Sequence, residues 1–252
     1  MRYLVIGASG HAQEVAWSLR EEIRAIGAES ECEIAFLDDA IAIGDLPSGL
    51  GPVIGGVTLA AREAGRADTR LVMGVGLPRT KAAMVRRLRV PDHVWAPVVH
   101  PSAIVGPNVT IGAGSYVGPG AVLTVNVRLA RFVTVNTHCL VAHGGTLADF
   151  VTLHPDAHLS GEVEIAEGCE IGAGALVLPG LAVGDWAVIG AGAVAVKRLR
   201  GGRTYVGVPA HEMDARARGV AAGASAQAAA PSAEARRARS LAEANPLTRL
   251  LR

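Results

Sequence analysis

Val135-Asn-Thr-His-Cys-Leu-Val141-Ala-His-Gly-Gly-Thr-Leu147-Ala-Asp-Phe-Val-Thr-Leu153-His-Pro-Asp-Ala-His-Leu159 carries a large aliphatic residue at every sixth position. The register extends unbroken both ways, back through Leu129, Leu123, Val117, Ile111 and Val105 to Val99, and on through Ile165, Ile171, Val177, Val183 and Ile189 to Ala195. Four residues further on in each hexad the side chain is small or aliphatic, as at Ala103, Ser115, Ala121, Cys139, Ala157, Cys169 and Ala175. A helix repeats about every 3.6 residues and a strand about every 2, so neither accounts for this period. It fits a parallel β-helix with three flat sides, in which each hexad makes one side and turns one corner. The large aliphatics stack inward and the small residues fill the corners. Eighteen residues complete a coil, so residues eighteen apart lie above one another. The unbroken register leaves no place for a protruding loop.

The segments on either side have a different grammar. Residues 1–95 read as α/β, with strands at Tyr3–Ile6, Ile34–Leu37 and Leu71–Val75. The first is followed by a helical pattern through Val15, Leu19 and Ile23, and the third by a basic helix with Arg79, Lys81, Arg86 and Arg87. Such alternation predicts a small, Rossmann-like parallel sheet whose ligands sit at the strands' C-terminal ends. The loop Gly7-Ala-Ser-Gly10-His11 is too short for the dinucleotide fingerprint. A glycine loop that opens a helix can still hold a uridine or a pyrophosphate on its N–H groups. From residue 214 the chain turns rich in Ala and Arg, which predicts a helical or disordered tail over 214–252. The whole is an α/β plus β-solenoid chain, with the β-helix over 96–213.

Composition narrows the function. A formal net charge of +1 points to neither nucleic acid nor an anionic membrane. Aromatics make up 4% while half the residues are hydrophobic, which suits thin layers of Val, Ile, Leu and Ala. Cys32, Cys139 and Cys169 are too scattered for a disulfide framework or a thiolate zinc site, and read as reduced thiols in the cytoplasm. Met1 runs straight into a strand pattern, with no sign of a signal peptide, and no apolar stretch is long enough to span a membrane.

Four motifs in this order and spacing carry a family resemblance: Ile6-Gly-Ala-Ser-Gly-His11, Phe36-Leu-Asp-Asp39, the hexad around His143, and Val206-Gly-Val-Pro-Ala210. With the hexads, they make residues 1 to about 213 resemble the sialic acid O-acetyltransferase and bacillosamine N-acetyltransferase group of sugar acyltransferases. That resemblance implies a left-handed coil, a homotrimer, acetyl-CoA as cosubstrate and no metal. It implies N-acetylation of a nucleotide-linked 4-amino sugar, with O-acetylation of a sugar as the alternative.

The resemblance also distributes roles. His143 is implied as the general base that takes the proton of the attacking amine; imidazole titrates near neutrality and suits that task. Where many relatives have an acid after the base, this chain has Gly144, so Asn136, His154 or a main-chain carbonyl is expected to orient the ring. Gly161, eighteen residues after His143, is implied as an N–H donor to the thioester oxygen. Thr152, His154, Ala173 and Ala191 are implied along the acetyl-CoA groove, with Lys197, Arg198 and Arg200 near its phosphates. Ser9, Gly10, His11, Asp38, Asp39 and Gly74 are implied around the nucleotide-sugar.

Two other classes compete. The γ-type carbonic anhydrases share the β-helix and hold zinc on three histidines, two of them spaced as His138 and His143 are here. The third place, position 102, is Ser. Catalytic zinc needs three protein ligands, so this reading is the weaker one. A rigid scaffold without catalysis is the remaining alternative.

Overall fold

The computed structural model of the chain describes residues 1–213. The tail read over 214–252 lies outside the described residues. The hexad register folds into three parallel sheets. Strands Ile104–Val105, Val122–Leu123, Leu140–Val141, His158–Leu159, Leu176–Val177 and Val194–Ala195 make the first side. Thr110–Ile111, Arg128–Leu129, Thr146–Leu147, Glu164–Ile165 and Ala182–Val183 make the second. The third runs from Val98–Val99 through Tyr116–Val117, Thr134–Val135, Thr152–Leu153 and Glu170–Ile171 to Val188–Ile189, and is closed by Thr204–Val206 and His211–Glu212.

The rungs between Val98 and Ala195 pair residues eighteen apart, as Val122 with Leu140 and Leu140 with His158, and the closing rung pairs Val188 with Thr204. The second residue of each two-residue strand points inward, so Leu123, Val141, Leu153, Leu159, Ile171, Val177 and Ile189 are fully buried. Cys139, Ala157, Cys169 and Ala175 fill the corners. Burial pushes the Cys139 thiol up to about 12 and the Cys169 thiol up to about 11, which leaves both inert.

One corner feature carries no hydrophobic signal. From Asn108 to Gly192, every sixth residue has φ between 56° and 68°. Glycine, Asn or Asp holds most of these places, as left-handed geometry favours. Phe132, Phe150 and Trp186 share one corner column with Gly114 and Gly168. Their rings spread over the glycines: a Cβ on Gly168 would collide with the Trp186 ring. Phe132 and Phe150 stack at 5.5 Å, and Trp95 meets Phe132 edge-on at 5.1 Å. Burial of the rings offsets the strained backbone.

The N-terminal part is a five-stranded sheet made by β1 (Arg2–Ile6), β2 (Glu33–Leu37), β3 (Gly44–Asp45), β4 (Pro52–Gly55) and β5 (Thr69–Met73). Its order is β3-β4-β2-β1-β5, parallel except for β3 against β4. Helices α1 (Gly10–Ala25), α2 (Leu59–Glu63) and α3 (Pro78–Leu88) connect it. β3 and β4 escaped the sequence reading because one has two exposed residues and the other is bounded by Pro52 and Gly55. β5 ends before Gly74, where any Cβ would come within 2.7 Å of Ala12 and the Ile6 carbonyl.

This sheet is joined to the third side of the coil. From α1, Ser18 meets the Tyr116 hydroxyl at 3.0 Å. From α3, Lys81 is wholly buried and donates to Phe132 O at 2.8 Å, Thr152 Oγ1 at 2.9 Å, Thr134 Oγ1 at 3.0 Å and Val151 O at 3.3 Å. Burial pushes its ammonium from the usual 10.5 down to about 7. Among the described residues, no helix is long and apolar enough to cross a membrane.

Lys81→Met keeps the length of the chain but takes the donor from four buried oxygens, of which Phe132 O and Thr134 Oγ1 keep no other partner among the described residues, and should lower stability by about 2–3 kcal/mol in urea unfolding. Because the folded value lies below the unfolded one, the unfolded chain binds more protons between them. Stability should therefore rise as pH goes from about 7 towards 10, and that slope should disappear in Lys81→Met.

Candidate active site

The corners set which side chains share an edge. The corner between the third and first sides carries Asn136 and His154, with Ala173 and Ala191 further along the same edge. The corner between the first and second sides carries His143, Gly161 and, three coils beyond His143, Lys197. The first side lies between these two edges.

His143 is exposed and follows the strand Leu140–Val141. Its ring lies on Gly161, where a Cβ would collide with Cε1 and Nε2. Glycine is thus required for the ring to sit where it does. The main chain joins the two coils through Glu162 N–H to His143 O at 2.8 Å. Among the described residues, the Gly161 N–H and both ring nitrogens of His143 make no hydrogen bond.

Neither residue expected to orient His143 reaches it within the chain. Asn136 Nδ2 donates to Leu153 O at 3.1 Å, and His154 Nε2 lies 2.7 Å from Glu170 Oε1. Both sit on the other edge. Thr152 is buried beneath α3; its hydroxyl donates to Gly76 O at 2.7 Å and accepts from Lys81. That engagement holds the two halves of the chain together and leaves no free hydroxyl for an acetyl group. Ala173 and Ala191 are exposed. His138 and His143 sit at different corners, and no three His, Cys, Asp or Glu side chains converge as metal ligands among the described residues.

A second set of residues gathers at the C-terminal ends of β1, β2 and β5. Strand order reverses at β1, with β2 on one side and β5 on the other, the place where α/β sheets bind ligands. Ser9 and Gly10 open α1 and are exposed. His11 is held against Gly76 and edge-on to Tyr116 at 5.8 Å; its Nε2 is buried without a hydrogen-bond partner among the described residues. Burial lowers the pKa of His11, and Glu14 at 3.5 Å opposes that shift.

Asp38 and Asp39 build this loop. Asp38 accepts from the N–H groups of Ala8, Ala40 and Ile41 at 2.8–2.9 Å. Burial opposes its ionisation, but these three bonds win and hold the carboxyl below its usual range. Asp39 pairs with Arg87 at 2.9 Å and accepts from Val57 N–H, which holds it low as well. Gly74 lets α1 approach the sheet.

Lys81 and Glu170 were missed in the sequence. Lys81 read as one of several cations on a basic helix. Glu170 had a signal, since it lies eighteen residues after Thr152 in the outward column of the third side.

No known family profile matches the chain. It is 32% identical over 84 residues to GDP-perosamine N-acetyltransferase of Escherichia coli, which covers 33% of this chain and 38% of that enzyme. The aligned stretch therefore spans less than half of that relative. Two solved structures match almost end to end. One is a mutant of perosamine N-acetyltransferase from Caulobacter crescentus in complex with CoA and GDP-perosamine, 30% identical with a TM-score of 0.73, covering 85% of this chain and 97% of that one. The other is the acetyltransferase domain of PglB from Neisseria gonorrhoeae in complex with acetyl coenzyme A, 34% identical with a TM-score of 0.73, covering 84% and 98%. This chain belongs to the sugar N-acetyltransferases of the hexapeptide-repeat, left-handed β-helix superfamily.

Proposed function

We propose that the chain transfers an acetyl group from acetyl-CoA to the amine of a nucleotide-linked amino sugar, with His143 as general base. The observation that carries this reading is the pairing, on one edge, of the exposed, unbonded His143 imidazole with the unbonded N–H of Gly161, which lies buried beneath the ring. The amine nitrogen attacks the thioester carbonyl, a C–N bond forms, and His143 accepts the proton. The Gly161 N–H receives the developing oxyanion. When the C–S bond breaks, the proton passes from His143 to the departing sulfur, which leaves as CoA thiol.

The Rossmann-like part, residues 1–95, holds the nucleotide-sugar in this reading. Ser9 and Gly10 face the ligand with His11 packed behind them, Asp38 and Asp39 set the loop, and Gly74 makes room for it. Residues 96–213 hold the acetyl-CoA. Its pantetheine arm follows the edge of His154, Ala173 and Ala191. Lys197 lies roughly 14 Å from His143 along the coil axis at about 4.8 Å per coil, where the phosphates of an extended CoA fall. Arg198 and Arg200 add to this charge. The reaction takes place in the cytoplasm.

The acting unit in this reading is a homotrimer. The outward column of the first side is Ile104, Val122, Leu140, His158, Leu176 and Val194, and Ile104 is 63% exposed. An apolar strip of this kind on a flat sheet calls for a cover. The third side is covered by the N-terminal sheet, and the second points Thr110, Arg128, Thr146 and Glu164 outward. Packing first sides around a threefold axis brings the His143 edge of one subunit against the Ala173 edge of the next.

Thiol release from acetyl-CoA with a panel of nucleotide-linked amino sugars tests the reading. His143→Ala should lower kcat by about 100-fold to 10,000-fold, the range for losing a general base. Turnover only with hydroxyl acceptors would replace N- by O-acetylation, and no turnover with either would leave a scaffold. Ile104→Glu combined with Leu176→Glu should give a folded monomer by light scattering, with activity lost.

A further inference from the structure

Glu170 and His154 form the tightest histidine–carboxylate pair among the described residues. Nε2 and Oε1 are 2.7 Å apart, against 3.5 Å for His11–Glu14 and 3.7 Å for His138–Asp156. Both side chains are about one-third exposed, at the mouth of the groove edge. Glu170 lies close enough to act on Lys81 through the sheet, and its charge opposes the burial that lowers that ammonium. A carboxylate only accepts, so Nε2 carries the hydrogen and Nδ1 of the neutral ring is left as an acceptor. No hydrogen bond is made to Nδ1 among the described residues.

His143 has the complementary need. A base must have its ring held, and nothing on its own edge does this. Glu162, one coil beyond Gly144, bonds only through its main chain to His143. Heights along the coil decide what a neighbour could offer. His143 comes seven residues after Asn136 and eleven before His154. With about 4.8 Å per coil, it rises about 2 Å above Asn136 and about 3 Å below His154. A threefold axis parallel to the coil keeps every residue at one height in all subunits.

We infer that Glu170 and His154 are positioning residues for His143 of the neighbouring subunit. Nδ1 of His154 accepts the N–H of that ring, and the other nitrogen of His143 is left free for the amine proton. The pair takes the place of the acid missing at Gly144. This inference rests on the trimeric acetyltransferase reading.

The test combines kinetics, mixing and spectroscopy on the full chain. Glu170→Gln should lower kcat about tenfold or more, the scale of losing a carboxylate that orients a histidine. KM for acetyl-CoA should hold within about twofold and the pH–rate profile should move, whereas Glu162→Gln should match wild type. His143→Ala and His154→Ala chains, refolded together in equal amounts, should recover about one quarter of wild-type sites, because one interface in four then receives both histidines. Recovery no greater than the average of the two variants, or a Glu170→Gln enzyme with the wild-type pH profile, would overturn the inference. So would an effect at Glu162 in place of Glu170. A wild type without turnover would sink the acetyltransfer reading instead. The inference can still be judged then, because the His143 imidazole 15N titration in the trimer should shift in Glu170→Gln and must not stay unchanged.

Discussion

The main-chain ladder between residues eighteen apart is the constraint on which everything else in this molecule rests. Thr152 N–H meets Cys169 O at 2.9 Å and His154 N–H meets Ile171 O at 2.8 Å, and the same step recurs on all three sides. A slip of one residue would turn Leu153 and Ile171 outward and every polar column inward, so the buried aliphatics hold the register against it. Once the register is held, each edge of the prism is a ruler. His143 must stand over Gly161, and Asn136 and His154 must share another edge.

The N-terminal sheet is tied to this ruler by shared apolar clusters, in which Trp95 packs on Phe132 and α1 on Val98 and Tyr116, and by buried polar groups that cross the same junction. Lys81 reaches through to two carbonyls and two threonines of the coil, and Thr152 returns a bond to Gly76. A buried ammonium with only neutral oxygens around it is costly, and its value lies in geometry more than in stability. It sets Gly76, and with it His11, at a defined place relative to the third side. Lys81 thereby helps to register the proposed nucleotide site to the cofactor edge, alongside the Ser18–Tyr116 and Thr152–Gly76 bonds.

Much of this was legible because the coil writes its period into hydrophobicity. Val99 to Ala195 named the three sides and the corner residues without a gap. What escaped was carried by other physics. The left-handed corner column accepts Phe132, Phe150 and Trp186, residues that no backbone preference would place there, because the two Phe rings stack on each other and Trp186 lies over Gly168. Lys81 looked like surface charge because burial of a lysine depends on oxygens supplied some fifty to seventy residues away. Asp38 and Asp39 read as ligand contacts at a strand end, and the structure shows their carboxylates building the loop that would receive the ligand. The β3–β4 pair lacked any apolar alternation to announce it.

The separation of His143 from Asn136 and His154 was the least legible feature, and it follows from the triangular cross-section. Residues seven or eleven apart in a hexad chain are never on the same edge, since edges recur every eighteen. A monomer of this shape can hold a base, or the groups that would steer it, but not both together. Gly144 is not forced on the chain by crowding, since a Cβ there would meet the flexible Glu162 Cγ at 3.4 Å and the Glu162 main chain at ordinary contact distance. Its backbone is left-handed, a conformation that Asp adopts at the matching place in Asp156. A carboxylate next to the base was therefore sterically open. Its absence, beside a tight His154–Glu170 pair at a matching height on the opposite edge, is what makes a shared site across two subunits the consistent reading of this coil.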